Sequence, residues 1–506
     1  MNPQRRLQII RHGLLLDVDT ETTAPADILI DGERFLEIGP PGLAAPGDAQ
    51  EIDAGDRLIM PGLVNSHTHG HGSLGKGIGD RWTLELLLNA GPGIRADQSL
   101  EYKRTSARLN AAEMVLKGCT AAYDMYFEAP TASIEGISAI GQGYADVGVR
   151  AVVAPMMADI SLYDAIPGLM DALPEAHRKA AEQLKAAPFD KHIENCRAVL
   201  DNWAHDRDRV RPALGPTIPH HCTDDFITAC RDLAAEYDVG VQMHLAESKT
   251  QAVVGMKRYG RTLAQHLDTL GLITPGFTGA HCIWLDEDDI KLMRDRGASV
   301  AHNPGSNLRL GNGVAPARRM LELGVNVGVG SDGSVSADHQ NMFEAMRMAA
   351  FVSHIVTPDP ETWLGTWEVL RLGTQGGARV LGMDDRIGRI APGYLADLVM
   401  LDLASISFVP LNDAANQIIN CEDSSAVHSV MIGGRMVLDG RRFTDFDYDG
   451  LRRDVEAAVT EARERNAPAR ERQEAMAKFV SSHCVGLACE GYHVHRRIDR
   501  AGNGDP

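Results

Sequence analysis

Apolar residues recur along this chain at two spacings. At its start, LQIIRHGLLLDVD and ADILIDGERFLEIG are short β-like runs, and Asp31-Gly32 in the second makes a hairpin turn between apolar stretches. A matching pair, GYLADLVMLDL and SAVHSVMIGGRMVLDGR, returns only after residue 390. These two distant groups predict one small β-sandwich domain built from residues 1–58 and 388–445. Everything between is then a self-contained insertion.

Over residues 59–387 short apolar runs alternate with helical stretches, the pattern of repeated βα units. The runs are LIMPGLVNSHTH, GCTAAYDMY, VRAVVAPMMAD, VRPALGPTIP, VGVQMHL, FTGAHCI, ASVAHNP and VNVGVGSDG. Before the fifth, Thr223 with Asp224 and Asp225 marks the start of the helix FITACRDLAAEY, and Gly240 follows its end. Eight such units predict an α/β fold, a (β/α)8 TIM-type barrel with insertions, the alternative being a doubly wound open sheet. Residues 446–506 turn polar and helical, an extension expected to lie on the surface or against another subunit.

Length and composition narrow the picture. A chain of 506 residues with 44% hydrophobic and 24% charged residues is ordinary for a soluble protein with a large core. Its 50 Lys and Arg against 69 Asp and Glu give a formal charge of -19, which disfavours nucleic acid and anionic membranes as partners. The opening MNPQRRLQIIRHGLLLDVD has no uninterrupted apolar stretch, so no signal peptide is read. No window approaches a membrane-spanning length. Eight scattered cysteines lack the density of a disulfide scaffold, and a cytoplasmic location is expected.

In a barrel of this type, polar residues at the carboxyl ends of strands converge on one mouth. Here the ends of four runs carry them: His67 and His69, His244, His281, and Asp332. Alternate strand residues face one side, so His67 and His69 can grip one ion, with His244 and Asp332 adding a nitrogen and an oxygen. Such a set suits one divalent metal per subunit, Zn first, with Fe, Mn, Co or Ni as alternatives. An open position on the ion would hold water and bring its pKa towards ~7.

Glu247, three residues after His244, reads either as a proton shuttle or as an ordinary acid in a helix's first turn. His281 reads as a group that orients water or as a fifth ligand. His71 lies past the strand end among glycines that break its periodicity, which leaves it either facing substrate or in solvent. His302 reads first as a structural hydrogen-bonding residue. Together with His71 and Thr217 it completes the substrate-facing candidates. His483, Cys484, Cys489, His493 and His495 in the tail match no common zinc spacing and are expected to pack against the barrel or a neighbouring subunit.

The stretches MPGLVNSHTH, HLAES, GAHCIWL, VAHNPGSNLRLGNGVAP, GSDG with NMFEAMR, TQGGARVLG and IGRIAPGYLADLVMLD resemble the amidohydrolase superfamily. Within it they are most similar to the hydrolytic deaminase and triazine hydrolase branch that includes S-adenosylhomocysteine deaminases. The resemblance runs over roughly residues 5–445. It implies a mononuclear centre, since VRPALGPTIPHHC lacks the lysine that bridges two ions in binuclear relatives. It also implies that a metal-bound water, steered by His281, loses a proton to Asp332 and attacks a trigonal carbon while Glu247 protonates a ring nitrogen or the leaving group. A C–N bond then breaks. The expected reaction is deamination of an amino-substituted heterocycle of purine, pterin, pyrimidine or triazine type, by a homodimer or higher homo-oligomer. An amide, carbamate or urea hydrolase is the alternative, and a non-catalytic relative a minor one.

This sequence departs from the nucleoside deaminases where ribose would bind. Their Trp-Pro-x-Glu segment reads LNAGPGIRAD here, Pro155 stands where an arginine is expected, and Thr217 replaces a histidine. The departures point away from a free ribose or amino-acid tail.

Overall fold

The computed structural model describes residues 7–95 and 99–497. The first six residues of the segment read for a signal, Ala96 and Asp97 of LNAGPGIRAD, and residues 498–506 of the extension lie outside the described residues.

Five strands open the chain: β1 (Leu7–Asp17), β2 (Thr22–Asp31), β3 (Arg34–Gly39), β4 (Gln50–Asp53) and β5 (Arg57–Pro61). The Asp31-Gly32 turn joins β2 to β3, with Asp31 opposite Arg34 and Gly32 at φ 60°, as a tight hairpin requires. Next come β6 (Leu63–Thr68), β7 (Cys119–Phe127), β8 (Arg150–Met157), β9 (Val210–Pro212), β10 (Gly215–Pro216), β11 (Val241–Leu245), β12 (Phe277–His281), β13 (Ser299–His302) and β14 (Asn326–Val329). The last four are β15 (Leu398–Asp402), β16 (Val427–Ile432), β17 (Arg435–Asp439) and β18 (Arg442–Phe443).

Strands from both chain ends form a single sheet in the order β18-β17-β16-β15-β5-β1-β2-β3, with β4 beside β1. β5 pairs with β15 as far as Pro61, so the sheet reaches three residues past the expected boundary at 58. The single run LIMPGLVNSHTH is therefore two strands in two different sheets. The chain crosses between them at Gly62, where any Cβ would lie 2.2 Å from the Thr120 hydroxyl.

The inserted strands pair in parallel as two arcs, one from β6 through β7 and β8 to β9 and β10, the other from β11 to β14. Leu214 bridges to Val241 at one seam. At the other, the Asp332 amide donates to the His67 carbonyl at 2.9 Å. These two seams close the arcs into the (β/α)8 barrel and exclude the open sheet. The run VRPALGPTIP supplies both β9 and β10, which together fill the fourth strand position. Thr223 caps its helix by accepting from the Phe226 amide at 3.2 Å. That helix ends at Asp238, left-handed at φ 51°, two residues before Gly240.

The barrel is tied to the end-built sheet by a buried ion pair. On β8, Arg150 donates through Nε to Asp397 Oδ2 at 2.8 Å and through a terminal nitrogen to Oδ1 at 3.1 Å, while the Gly433 amide also reaches Oδ1. Both side chains are almost fully buried. Replacing Asp397 by Ala strands the guanidinium, and the expected cost is about 3–5 kcal/mol of stability in denaturant unfolding. Loss of less than about 1 kcal/mol would show that the pair does not hold the two parts together.

A 41-residue helix, Tyr448–Ala488, forms the extension and packs along the helix Leu84–Arg95. Gly91-Pro92-Gly93 would ordinarily break a helix. Here the segment is held from outside: Asn89 Nδ2 donates to the Gln473 carbonyl at 3.0 Å and Asn466 Nδ2 to the Ile94 carbonyl at 3.0 Å. Gly93 must lack a side chain, because a Cβ would sit 2.7 Å from Arg470 Cα. Near the end of this helix His483 is bonded to the Pro167 carbonyl, and the tail beyond lies on the barrel, with His493 2.8 Å from Asp286 and Tyr492 edge-on to Trp284. Among the described residues no helix is long and apolar enough to cross a membrane.

Candidate functional site

The carboxyl ends of β6, β11 and β12 and the loop after β14 bring His67, His69, His244, His281 and Asp332 together. Two groupings of potential ligand atoms result, His67 with His69 and His244, and His67 with His281 and Asp332, each within 4.8 Å. His281 and Asp332 take left-handed backbone angles, φ 70° and 63°. Side-chain-bearing residues rarely adopt them, and such positions gather at functional sites.

The outer nitrogen of each imidazole is already committed. His67 Nδ1 lies 2.6 Å from Gln242 Oε1, and Gln242 is oriented by donating its amide to the Ser66 carbonyl. His69 Nδ1 meets the Met125 carbonyl at 2.7 Å, His244 Nδ1 the Thr217 carbonyl at 2.7 Å, and His281 Nδ1 the Asn307 Oδ1 at 2.8 Å. Every one of these partners is an acceptor, so each Nδ1 carries the proton and each Nε2 presents a lone pair inward.

That leaves acceptors facing acceptors. His69 Nε2 and His244 Nε2 stand 3.1 Å apart with no proton to share. His67 Nε2 and His281 Nε2 are buried with no hydrogen-bond partner. Asp332 Oδ1 lies 3.7 Å from His67 Nε2 and 3.4 Å from His69 Nε2. Buried lone pairs of this kind are costly unless a cation satisfies them. The residues present fit a divalent metal, and their committed Nδ1 atoms supply the outer support that fixes ligating imidazoles.

The electrostatics agree with that donor set. Burial, with the neighbouring charge of His69, lowers the His67 pKa to about 3. Burial lowers His69 to about 4 and His244 to about 3. All three are neutral at physiological pH, as ligands must be. Burial alone would raise the Asp332 carboxyl, but His69, His67 and His281 outweigh it and hold it below the ordinary carboxylate range. Burial, then Asp332 and Glu85, push Glu247 well above its ordinary value.

Glu247 precedes Ser248, the cap of the helix Lys249–Tyr259, so it is not a first-turn acid of that helix. It is 1% exposed and sits 3.8 Å from His281 Nε2. Its Oε1 accepts from Asn312 Nδ2 at 3.1 Å, and its Oε2 has no partner.

A cavity over the cluster is lined by His69, His71, Thr217, His244, Glu247 and Asp332, with Leu84, Leu87, Leu88 and Ile94 of the helix Leu84–Arg95 opposite. His71 is buried rather than solvent-exposed, and its Nδ1 accepts from the Phe127 amide at 3.1 Å. His302 ends β13, 1% exposed, outside the cavity lining and with neither ring nitrogen hydrogen-bonded. The structure thus gives His302 neither the substrate-facing place nor the hydrogen-bonding one. Gln242, Asn307 and Asn312 are additions to the expected set. For Gln242 the signal lies in VQMHL, where alternation places it on the His244 side of the strand.

Comparison with known proteins gives the same architecture. The model of the amidohydrolase family matches residues 58–437. A 5-methylthioadenosine/S-adenosylhomocysteine deaminase of Syntrophobacter fumaroxidans is 32% identical over 444 residues, 86% of this chain and 93% of that one. A 5'-deoxyadenosine deaminase of Methanothermobacter thermautotrophicus is 30% identical over 417 residues, 81% of this chain and 88% of that one. An adenosine deaminase from Xanthomonas campestris with bound zinc superposes with a TM-score of 0.80 at 28% identity, covering 90% of this chain and 98% of that one. The zinc complex of an atrazine chlorohydrolase from Arthrobacter aurescens gives 0.80 at 27% identity, covering 89% and 99%. The chain belongs to the amidohydrolase family.

Proposed function

We propose that this chain is a metal-dependent aminohydrolase that replaces the exocyclic amino group of an N-heterocycle with oxygen and releases ammonia. The observation that carries the reading is the set of inward Nε2 lone pairs, each fixed by a committed Nδ1, facing the Asp332 carboxylate with the buried Glu247 carboxyl 3.8 Å from His281 Nε2. His67, His69, His244 and Asp332 would hold the ion, with Zn²⁺ the best match to imidazole nitrogens and one carboxylate. Bound there, a divalent cation acidifies water and polarises the substrate.

The chain's own groups divide the proton work. Asp332, held ionised, takes the proton from the attacking water. His281 orients that water through Nε2, which lies 3.7 Å from Asp332 Oδ2. Glu247, whose pKa is raised by burial and then by Asp332 and Glu85, donates a proton to a ring nitrogen as the carbon becomes tetrahedral. The proton held by Asp332 then passes to the amino group, which leaves as ammonia, and the proton remaining on the added hydroxyl returns to Glu247 as the carbonyl forms. His71 and Thr217 face the bound ring.

Three of the four relatives described are named as deaminases of adenosine or its derivatives, which favours a purine ring. The missing ribose partners favour one without a free sugar. A homo-oligomer in a reducing cytoplasm fits the exposed Ile355, Val356 and Ile406 and cysteines that form no disulfide among the described residues.

The test is a panel of amino-purines, pterins, pyrimidines and triazines beside anilides, carbamates and ureas, scored for ammonia against arylamine or carboxylate. Ammonia from at least one heterocycle is expected. Ammonia from none, alongside cleavage of an anilide or carbamate, overturns the assignment.

A further inference from the structure

The cavity over the metal cluster is small, ≈ 60 Å³, and does not end there. Beyond Leu88, Gly91, Met156, Thr217 and Ile218, which wall both spaces, lies a second chamber of ≈ 480 Å³. Its surface is built from Phe127 at the end of β7, Met157 at the end of β8, Ile160, Leu162 and Leu184.

Four of the eight polar side chains in its wall, Glu128, Ser161, Tyr163 and His192, are occupied by the protein, while Gln183, Lys185, Thr217 and His221 stand among the apolar ones. The Glu128 carboxylate is paired with Lys103 and accepts from the Ser133 amide and hydroxyl. His192 bonds the Thr131 hydroxyl and the Ala158 carbonyl, both at 3.0 Å. The Tyr163 hydroxyl is engaged by Asn89 and Gln473, and the Ser161 hydroxyl by Asp164. His221, neutral because burial lowers its pKa to about 4, adds no charge. Lys185 is exposed at the mouth. A sugar or amino-acid tail placed inside would meet Thr217, His221, Gln183 and Lys185 but lose water against the rest of the wall, whereas a hydrocarbon tail would bury apolar surface along Phe127, Met157, Ile160, Leu162 and Leu184. Met156, at the junction, is unbranched and adaptable enough to let such a tail pass.

Resting on the aminohydrolase reading, we propose that the substrate is an amino-substituted N-heterocycle bearing a neutral apolar substituent, an alkyl or aryl chain, which fills this second chamber. The ring sits over the cluster and the substituent crosses between Met156 and Thr217. Specificity then resides in Met156, Leu184 and Phe127 rather than in hydrogen bonds to a ribose.

The probe is a series of 9-alkyladenines from methyl to hexyl, with adenosine and a 9-(carboxyalkyl)adenine as polar comparators. Binding to the full-length protein is measured by calorimetry, independently of turnover. Affinity is expected to rise about threefold to fourfold per methylene. Leu184→Asp is expected to cut the hexyl-to-methyl affinity ratio at least tenfold, and a circular dichroism spectrum matching the parent's shows that this variant folds. Affinity constant within twofold from methyl to hexyl, or tighter binding of adenosine than of 9-hexyladenine, overturns the proposal. The two readings fail separately. Rising affinity with no ammonia released sinks the deaminase assignment and leaves the chamber. Ammonia from short adenines with no gain on lengthening sinks the chamber alone.

Discussion

Glu247→Gln is expected to lower kcat by about 10²–10⁴-fold, the range that one positioned proton donor contributes, while the metal content per chain stays at the parent's level. The substitution preserves size and leaves an oxygen to accept from Asn312 Nδ2, so the local frame persists. What it removes is the acidic proton at a 1% exposed position 3.8 Å from His281 Nε2. Glu247 is outside the set of inward Nε2 atoms, so ion binding has no reason to change. Steady-state kinetics with elemental analysis of the same preparation separates the two properties. Parent-level turnover in the variant would remove Glu247 from the chemistry, and loss of the metal would recast it as a ligand.

His244→Ala is expected to reduce metal occupancy after dialysis and to lower kcat/KM by at least about 100-fold, since loss of mere outer-shell partners already costs 10–100-fold. His244 Nε2 stands 3.1 Å from His69 Nε2 with both lone pairs inward, so deleting one imidazole opens the donor set on its most crowded side. A readout independent of catalysis is thermal unfolding with and without added Zn²⁺. For the parent chain, free ion at 1,000 times its Kd adds about 4 kcal/mol, and the variant should gain far less. Chelation of the parent should reproduce the variant's unfolding profile, with recovery on readdition of the ion. A variant that keeps one ion per chain and parent kinetics would place the metal elsewhere.

The clustering of His67, His69, His244 and Asp332 is legible in the sequence because its signals are local. His67 and His69 show the two-residue period of a strand end, and His244 and Asp332 close apolar runs of strand length. The same alternation exposes Gln242, although an amide draws no notice until His67 Nδ1 is seen 2.6 Å away. Asn312 has no such signal: its meaning comes from Glu247, 65 positions distant. His302 misleads for the opposite reason, since a strand-end histidine reads alike whether or not its ring reaches the cavity.

The fold divides along the same line. Eight βα units follow from periodicity, but the split of LIMPGLVNSHTH between two sheets depends on β15, which arrives more than 300 residues later. The helix Leu84–Arg95 is the least legible element. Gly91-Pro92-Gly93 reads as a turn, and the contact that keeps it helical joins Asn89 to Gln473 across 384 positions. The cavity's apolar wall therefore has no local signature.

That arrangement also orders events during synthesis. Asp332, the last in the chain of the five clustered residues, leaves the ribosome well before Tyr448, an interval of seconds at ~5–20 residues per second. A nascent chain in that interval lacks the brace on the helix that walls the cavity. Its cluster would be open to bulk water and to any small solute. The wall of the cavity is thus a late acquisition in the life of each molecule, completed when residues 448–488 fold onto the helix Leu84–Arg95.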